Sequence, residues 1–259
     1  MTGLPTIEIL GVEVARSEPG AALAEIERLY DDEAPAFVAH ANAHTLNLAS
    51  QDASYRLVLQ AANLVLNDGK GVMLAALLKG APLSADLNGN FFSPKVLELA
   101  AARGWPVYFL GAGPGVAARA AEGLTRRIPD LRIAGVRDGF FGAEQEDEVT
   151  AEIRRSGAGL LFVGLGNPLQ ERWLARCLEA TGARLGVGVG AFFDFQAGTV
   201  QRAPAWMNRL GIEWVHRLLL EPRRMWRRYI VGNPVFIWRV LGEARVRPGS
   251  PRSRTGGPA

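Results

Sequence analysis

One cysteine in 259 residues, Cys177, leaves no partner for an intramolecular disulfide. No oxidised crosslink can therefore support the fold, and a reducing compartment fits. Cys177 falls inside a helical pattern and reads as a small buried hydrophobe. Histidine is almost as scarce: His40, His44 and His216 have no metal-ligand spacing with cysteine or carboxylates, and no Asp-x-Asp pair occurs. Both absences argue against a bound divalent ion. No uncharged apolar run reaches the roughly 18 residues that a spanning helix needs. The nearest, Tyr229 to Trp238, is interrupted by Gly232, Asn233 and Pro234. Met1 to Pro5 carries no basic cluster, and the strand-like stretch Ile7 to Val14 is too short for a signal sequence, so export is not expected. There is no internal repeat. What is present is 48% hydrophobic and 21% charged residues, enough for one large α/β domain, alone or with a small appendage.

The net charge of +3 is unevenly spread. From Arg202 onward there are twelve arginines and three acids, Glu213, Glu221 and Glu243, a net +9 that leaves −6 for residues 1–201. Such asymmetry points to an anionic partner for the C-terminal segment, nucleic acid or lipid headgroups. That segment holds Trp206, Trp214, Trp226 and Trp238 among Arg209, Arg217, Arg223, Arg224, Arg227, Arg228 and Arg239, with Leu218, Leu219, Leu220, Met225 and Ile230 interleaved. Basic residues beside interfacial aromatics suit a helix lying in the headgroup region, each cation contributing about 1 kcal/mol at an anionic surface. A charged helix packed on the core gives the same pattern. The acidic remainder and the lack of a nucleic-acid motif argue against nucleic acid.

Short apolar runs alternate with helical patterns. Ala36 to His40, Leu64 to Leu66, Val107 to Leu110, Leu131 to Val136, Leu160 to Val163 and Leu185 to Val189 read as buried strands. Ser54 to Ala62, Ser93 to Ala102, Val116 to Arg127, Glu144 to Arg155 and Leu169 to Glu179 read as helices, with Ser93-Pro94 as an N-cap followed by proline. The alternation predicts an α/β fold: a mostly parallel, Rossmann-like sheet with helices on both faces and ligands at the strand C-termini. The predicted organisation is a core over 1–198, a basic, Trp-rich helical appendage over 199–246 and a disordered tail over 247–259.

Three strand-end turns can carry chemistry. Gly111-Ala112-Gly113-Pro114-Gly115 opens the helix from Val116 and offers free amides to a diphosphate. Val116 stands where a dinucleotide fingerprint needs its third glycine, so the signal for NAD is weak. A nicotinamide oxidoreductase using this turn, with Asp138 as a late ribose-binding acid, is the rival reading, and a plain tight turn is the other. Gly164 to Glu171 adds Asn167, Gln170 and Glu171, which can bond a sugar or base or merely cap the helix. Asn67-Asp68-Gly69-Lys70-Gly71 sets a carboxylate at a strand end, where Asp68 is the candidate general base or a simple Asp-Gly turn. His40 and His44 also read as ordinary strand-end residues. Without a metal, a leaving diphosphate would be neutralised by helix N-termini or arginine.

Several ordered stretches together resemble the WecB/TagA/CpsF family of bacterial glycosyltransferases. They are Asn42 to Ala49, Asn67 to Val72, Tyr108 to Val116, Val163 to Glu171, Gly188 to Gly198, Arg202 to Trp206, Gly211 to Arg217 and Glu221 to Arg228. The resemblance implies an inverting, metal-independent transferase that needs no cofactor. Its donor would be a UDP-sugar of the N-acetylmannosamine, uronate or glucose type, and its acceptor a polyprenyl-diphosphate-linked saccharide. The product would feed exopolysaccharide, wall teichoic acid or common antigen. It implies Asp68 as base, with His40, Asn42, Gly111, Gly113, Gly166, Gln170, Glu171 and Asp194 at the substrates. Arg202, Arg217, Arg224 and Arg227 would serve the donor diphosphate from a segment docked on the anionic inner face of the cytoplasmic membrane. No nucleic acid is expected, and an oligomer is compatible. The chain departs from the family pattern at three places: His40 stands where Thr is frequent, Asp86 where an Arg precedes the mid-chain glycine, and Asn67 where Pro precedes the catalytic Asp. Donor or acceptor recognition is expected to differ at His40 and Asp86.

Overall fold

The computed structural model describes residues 3–201, 203–204, 206–207 and 212–246. The chain begins with a hairpin, β1 (Thr6–Ile9) and β2 (Val12–Ala15), whose two-residue turn places Leu10 at φ 50° and Gly11 at φ 79°. Positive φ at both central residues matches the twist of the flanking strands. The single strand-like stretch expected over Ile7 to Val14 is therefore two strands, divided at Gly11.

There follow α1 (Pro19–Asp31), β3 (Ala36–Ala41), α2 (Ala43–Gln51), α3 (Ala53–Ala61), β4 (Leu64–Asn67), α4 (Lys70–Leu78), α5 (Gly89–Arg103) and β5 (Val107–Gly111). Then come α6 (Val116–Arg127), β6 (Ile133–Arg137), α7 (Glu146–Ser156), β7 (Leu160–Gly164), α8 (Leu169–Thr181), β8 (Leu185–Gly188) and the short α9 (Phe192–Gln196). Strands β3 to β8 form one parallel sheet in the order β4-β3-β8-β7-β5-β6.

Strand period sorts side chains onto two faces. Phe37, Ala39, Tyr108, Leu110, Leu161 and Val163 join one core with α2, α3, α4, α7 and α8. Val38, Val107, Phe109, Leu160, Phe162 and Val187 join the other with α1, α5, α6 and α9. All six strands expected for this sheet are present; β3, β4, β5, β7 and β8 are buried throughout, which explains their continuous apolar runs, whereas the edge strand β6, expected to be buried, is half-buried along its length.

α5 begins earlier than the Ser93-Pro94 pair suggests. Asn88 caps it, accepting the Asn90 N–H at 2.9 Å, while Pro94 sits inside the helix and Ser93 is fully buried. The missing Pro94 N–H forfeits one bond near the helix start. Helices α1, α2 and α4 and the short α9 were not foreseen.

The C-terminal segment forms α10 (Glu213–Leu220), α11 (Pro222–Trp226), a π-helical turn (Arg227–Val231) and α12 (Gly232–Val246). α12 packs on α2 and α4, with Phe236 and Val240 in the first core. Arg239 donates to Asn47 Oδ1 at 2.9 Å and to Ser50 Oγ at 2.8 Å, and Asn47 donates to the Gly232 carbonyl at 2.8 Å. Lys79 pairs with Glu243 at 2.9 Å. This segment and the sheet domain thus share one core. Among the described residues no helix is long and apolar enough to cross a membrane. The tail expected over 247–259 lies outside the described residues.

Candidate functional site

Parallel pairing of β3 with β4 sets Ala41 opposite Asn67, so the next residues, Asn42 and Asp68, leave the sheet near one another. The Asp68 N–H donates to the Ala41 carbonyl at 2.9 Å. Asn42 caps α2: its Oδ1 accepts from the N–H groups of His44 (3.0 Å) and Thr45 (3.1 Å) and from the Thr45 hydroxyl (3.2 Å). With its oxygen committed to the helix, its amide nitrogen must face outward, and it donates to Asp68 Oδ2 at 3.0 Å. The carboxylate is thereby oriented by a group that is itself locked. Gly69 follows at φ 90° and donates its N–H to Asp86 Oδ1 at 2.9 Å. Asp86 thus anchors the loop behind Asp68. Burial raises the Asp86 pKa and the nearby Asp68 adds to the rise, against the lowering effect of the Gly69 N–H.

The turns after β7 and β8 are joined by Gln170, which is 1% exposed. Its Oε1 accepts from the Gly166 N–H at 3.2 Å and the Gly190 N–H at 2.9 Å, while its Nε2 donates to Glu171 Oε1 at 2.7 Å. Glu171 also accepts from Asn167 Nδ2 at 2.5 Å and from the Tyr55 hydroxyl at 3.0 Å. It is fully buried, and burial pushes its pKa up to about 7 against these lowering hydrogen bonds.

Two cavities open at these strand ends. The larger, about 690 Å³, is lined from the core by His40, Asp68, Gly166 and Gln170, and from the C-terminal segment by Arg217, Arg227, Arg228 and Arg239. The smaller, about 400 Å³, is lined by Lys70, Asp86, Phe91, Trp214 and Tyr229. Asn42, His44, Asp68, Asn90, Arg217 and Arg228 line both. The Arg217 guanidinium lies 5.2 Å from the Phe195 ring centre, and Arg227 lies 5.3 Å from that of Trp226. Cations stacked on rings keep their N–H groups available to an anion. Burial, with the Arg228 charge beside it, pushes the His44 pKa down to about 4.

The structure thus brings together His40, Asn42, Asp68, Gly166, Gln170, Arg217 and Arg227. It does not bring Gly111 or Gly113 to either cavity, because β5 lies beyond β7 in the sheet. Glu171 lies behind Gln170 as a buried support and lines neither cavity. Asp194 sits half-buried in α9, its backbone carbonyl accepting from Thr199 and Val200, and also lines neither. Asp138 accepts the Phe140 N–H at 3.0 Å in an ordinary turn. Arg202 and the Arg224 side chain lie outside the described residues. Sequence reasoning missed Asn90, Arg228 and Arg239, and left His44 as an ordinary strand-end residue. Arg228 and Arg239 were noted only as members of a basic segment, where nothing local separates a cavity-facing arginine from a solvated one. No group of three or more His, Cys, Asp or Glu that could hold a metal ion occurs among the described residues.

A family model described as "Glycosyl transferase WecG/TagA/CpsF family" matches residues 7–250. The chain is 32% identical over 244 residues to the N-acetylglucosaminyldiphosphoundecaprenol N-acetyl-beta-D-mannosaminyltransferase of Bacillus spizizenii strain W23, covering 94% of this chain and 93% of that protein. It is 30% identical over 221 residues to the protein of the same name from Bacillus subtilis strain 168, covering 85% of each.

Proposed function

Because the chain belongs to the WecG/TagA/CpsF family of glycosyl transferases, we propose that it moves a sugar of the N-acetylmannosamine, uronate or glucose type from UDP to a polyprenyl-diphosphate-linked saccharide, with inversion and without a metal ion. The product serves cell-surface polysaccharide assembly at the inner face of the cytoplasmic membrane. The observation that carries this reading is the Asp68 carboxylate, held by Asn42 at 3.0 Å where the two cavities meet.

In this reading the larger cavity takes the donor. Arg217, Arg227 and Arg228 offset the charge that builds on the diphosphate as the anomeric bond breaks. The smaller cavity takes the acceptor, whose sugar rests against Trp214, Tyr229 and Phe91. Asp68 removes the proton of the acceptor hydroxyl as it attacks the anomeric carbon. A base and an attacking oxygen on one side of the sugar, with the leaving diphosphate on the other, give inversion. Exposed Leu219, Leu220, Trp226, Ile230 and Trp238 support membrane contact by the same segment that supplies the arginines.

The test measures transfer from UDP-N-acetylmannosamine to N-acetylglucosaminyl-diphosphoundecaprenol by product mass, in buffer with and without EDTA. Asp68→Asn and Asp68→Ala should lower turnover about 10²- to 10⁴-fold, with the wild-type rate indifferent to EDTA. Near wild-type turnover in either variant would overturn Asp68 as the base.

A further inference from the structure

Asp68 is not the only acceptor at the floor of the larger cavity. His40 is the penultimate residue of β3, on the face that meets α5, and is 6% exposed. Its Nδ1 lies 3.0 Å from the Gly188 carbonyl oxygen, which can only accept, so the ring proton sits on Nδ1. Burial holds the ring pKa below its ordinary value, against the pull of the Asp68 charge, and the imidazole stays neutral. Nε2 is then a bare acceptor. It is buried and has no hydrogen-bond partner among the described residues. Gly89 at the start of α5 lies so near that a Cβ there would stand 3.7 Å from Cγ, Cδ2 and Nε2. The ring is therefore held between the Gly188 carbonyl and the α5 terminus.

The neighbouring groups narrow what Nε2 can meet. The Gln170 oxygen is occupied by Gly166 and Gly190, and the Asn42 amide faces Asp68. Among the side chains that line the cavity, His40 with its unpartnered Nε2 and the Asp68 carboxylate are acceptors, while the C-terminal segment supplies arginines. A ligand suited to both has an anionic diphosphate at one end and hydrogen-bond donors at the other. His40 lines the larger cavity and not the smaller. We propose that His40 Nε2 accepts a hydrogen bond from the sugar being transferred, from a ring hydroxyl or an N-acyl N–H, and so selects among UDP-sugars. This rests on the reading of the larger cavity as the donor site.

The test compares wild type, His40→Phe, which keeps a ring without the acceptor, and His40→Gln, which offers an amide acceptor from a different position. Each is assayed for kcat/KM with UDP-N-acetylmannosamine and with analogues lacking one ring hydroxyl or the N-acyl group. UDP affinity is measured by calorimetry and folding by thermal unfolding. Loss of one hydrogen bond to a buried acceptor should cost about 10- to 100-fold. His40→Phe should lose that factor on the full donor and little on one analogue, the same analogue on which wild type already loses it. UDP affinity should not change. Which analogue shows the coupling tells a hydroxyl from an amide. Equal losses on every donor, with UDP affinity intact, overturn the proposal and leave His40 a packing residue. A wild-type protein that does not bind UDP overturns the donor-site reading together with it. Should His40→Phe fail to fold, His40→Gln decides: a changed ranking of donors supports the proposal and an unchanged ranking overturns it.

Discussion

The turns that end β5 and β7 are neighbours in the sheet and look alike in sequence, each a Gly-x-Gly that closes an apolar strand and leads to a helix. One faces a cavity and the other faces its own protein. After β5, Gly111 adopts φ 138°, and a Cβ there would lie 2.5 Å from the Gly164 backbone. The Ala112 N–H donates to the Gly164 carbonyl at 3.0 Å, and the Ala112 carbonyl accepts from the Gly139 N–H at 2.9 Å. These groups are used in closing the sheet end. After β7, Gly166 is tied to the buried side chain of Gln170, which also holds Gly190 in the turn after β8, and the space beside both glycines stays open. Gly111 permits close packing of backbone on backbone, and so does Gly164, where a Cβ would lie 2.9 Å from the Gly190 carbonyl oxygen; Gly166, beside which a Cβ would meet nothing within 4 Å, lines the cavity and leaves room for a ligand. A glycine-rich turn therefore reports that something comes near, and the strand order decides whether it is substrate or chain.

Substitutions can break this contrast. The largest effect is expected for Gly111→Ala, which meets a backbone that cannot give way and adds positive-φ strain; a loss of about 4 kcal/mol or outright failure to fold should appear in urea unfolding. Gly111→Ala with wild-type stability would mean that this turn is not closed.

Next comes the support of the other turn. The Glu171 pKa of about 7 exceeds its ordinary value of 4.5, so the folded protein holds a proton between these limits that the unfolded chain releases. That stability is complete below about pH 4.5 and is lost as pH rises through about 7, up to about 3 kcal/mol. Glu171→Gln can still accept from Asn167 and Gln170 and donate to the Tyr55 oxygen. Its unfolding free energy should therefore fall less than that of wild type between pH 4.5 and 8, and parallel pH profiles would contradict the assignment. The smallest effect belongs to Gly113→Ala, where a Cβ meets only Val116 Cγ2 at 3.7 Å. Stability should move by less than about 0.5 kcal/mol and kcat/KM by less than about twofold. A large activity loss there would return the β5 turn to the active site.

Much of this was legible in the chain because the signals are local. Six strands, five of them fully buried, announce themselves as apolar runs between helical patterns, and the strand ends locate Asp68 and Gln170. The hairpin was missed although the alternation changes phase at Leu10-Gly11, with Ile7 and Ile9 apolar before the turn and Val12 and Val14 after it. The start of α5 was misplaced because Ser93-Pro94 imitates a cap, while the actual cap is the Asn88 side chain. Glu171 was read as a substrate ligand because a charge at a helix start is normally solvated; only the packing of Tyr55 and Asn167 around it shows a buried brace.

By itself the sequence determined the layered α/β class, the family, and the charge division between an acidic sheet domain and a basic C-terminal segment, since each depends on residue type and order along the chain. The tertiary structure decided which turn is open, that α12 completes the core through Phe236 and Val240, and that Arg217, Arg227 and Arg228 reach the cavity beside Asp68. These depend on strand order and on contacts between residues far apart in the chain, and they are set by how the two faces of the sheet are covered.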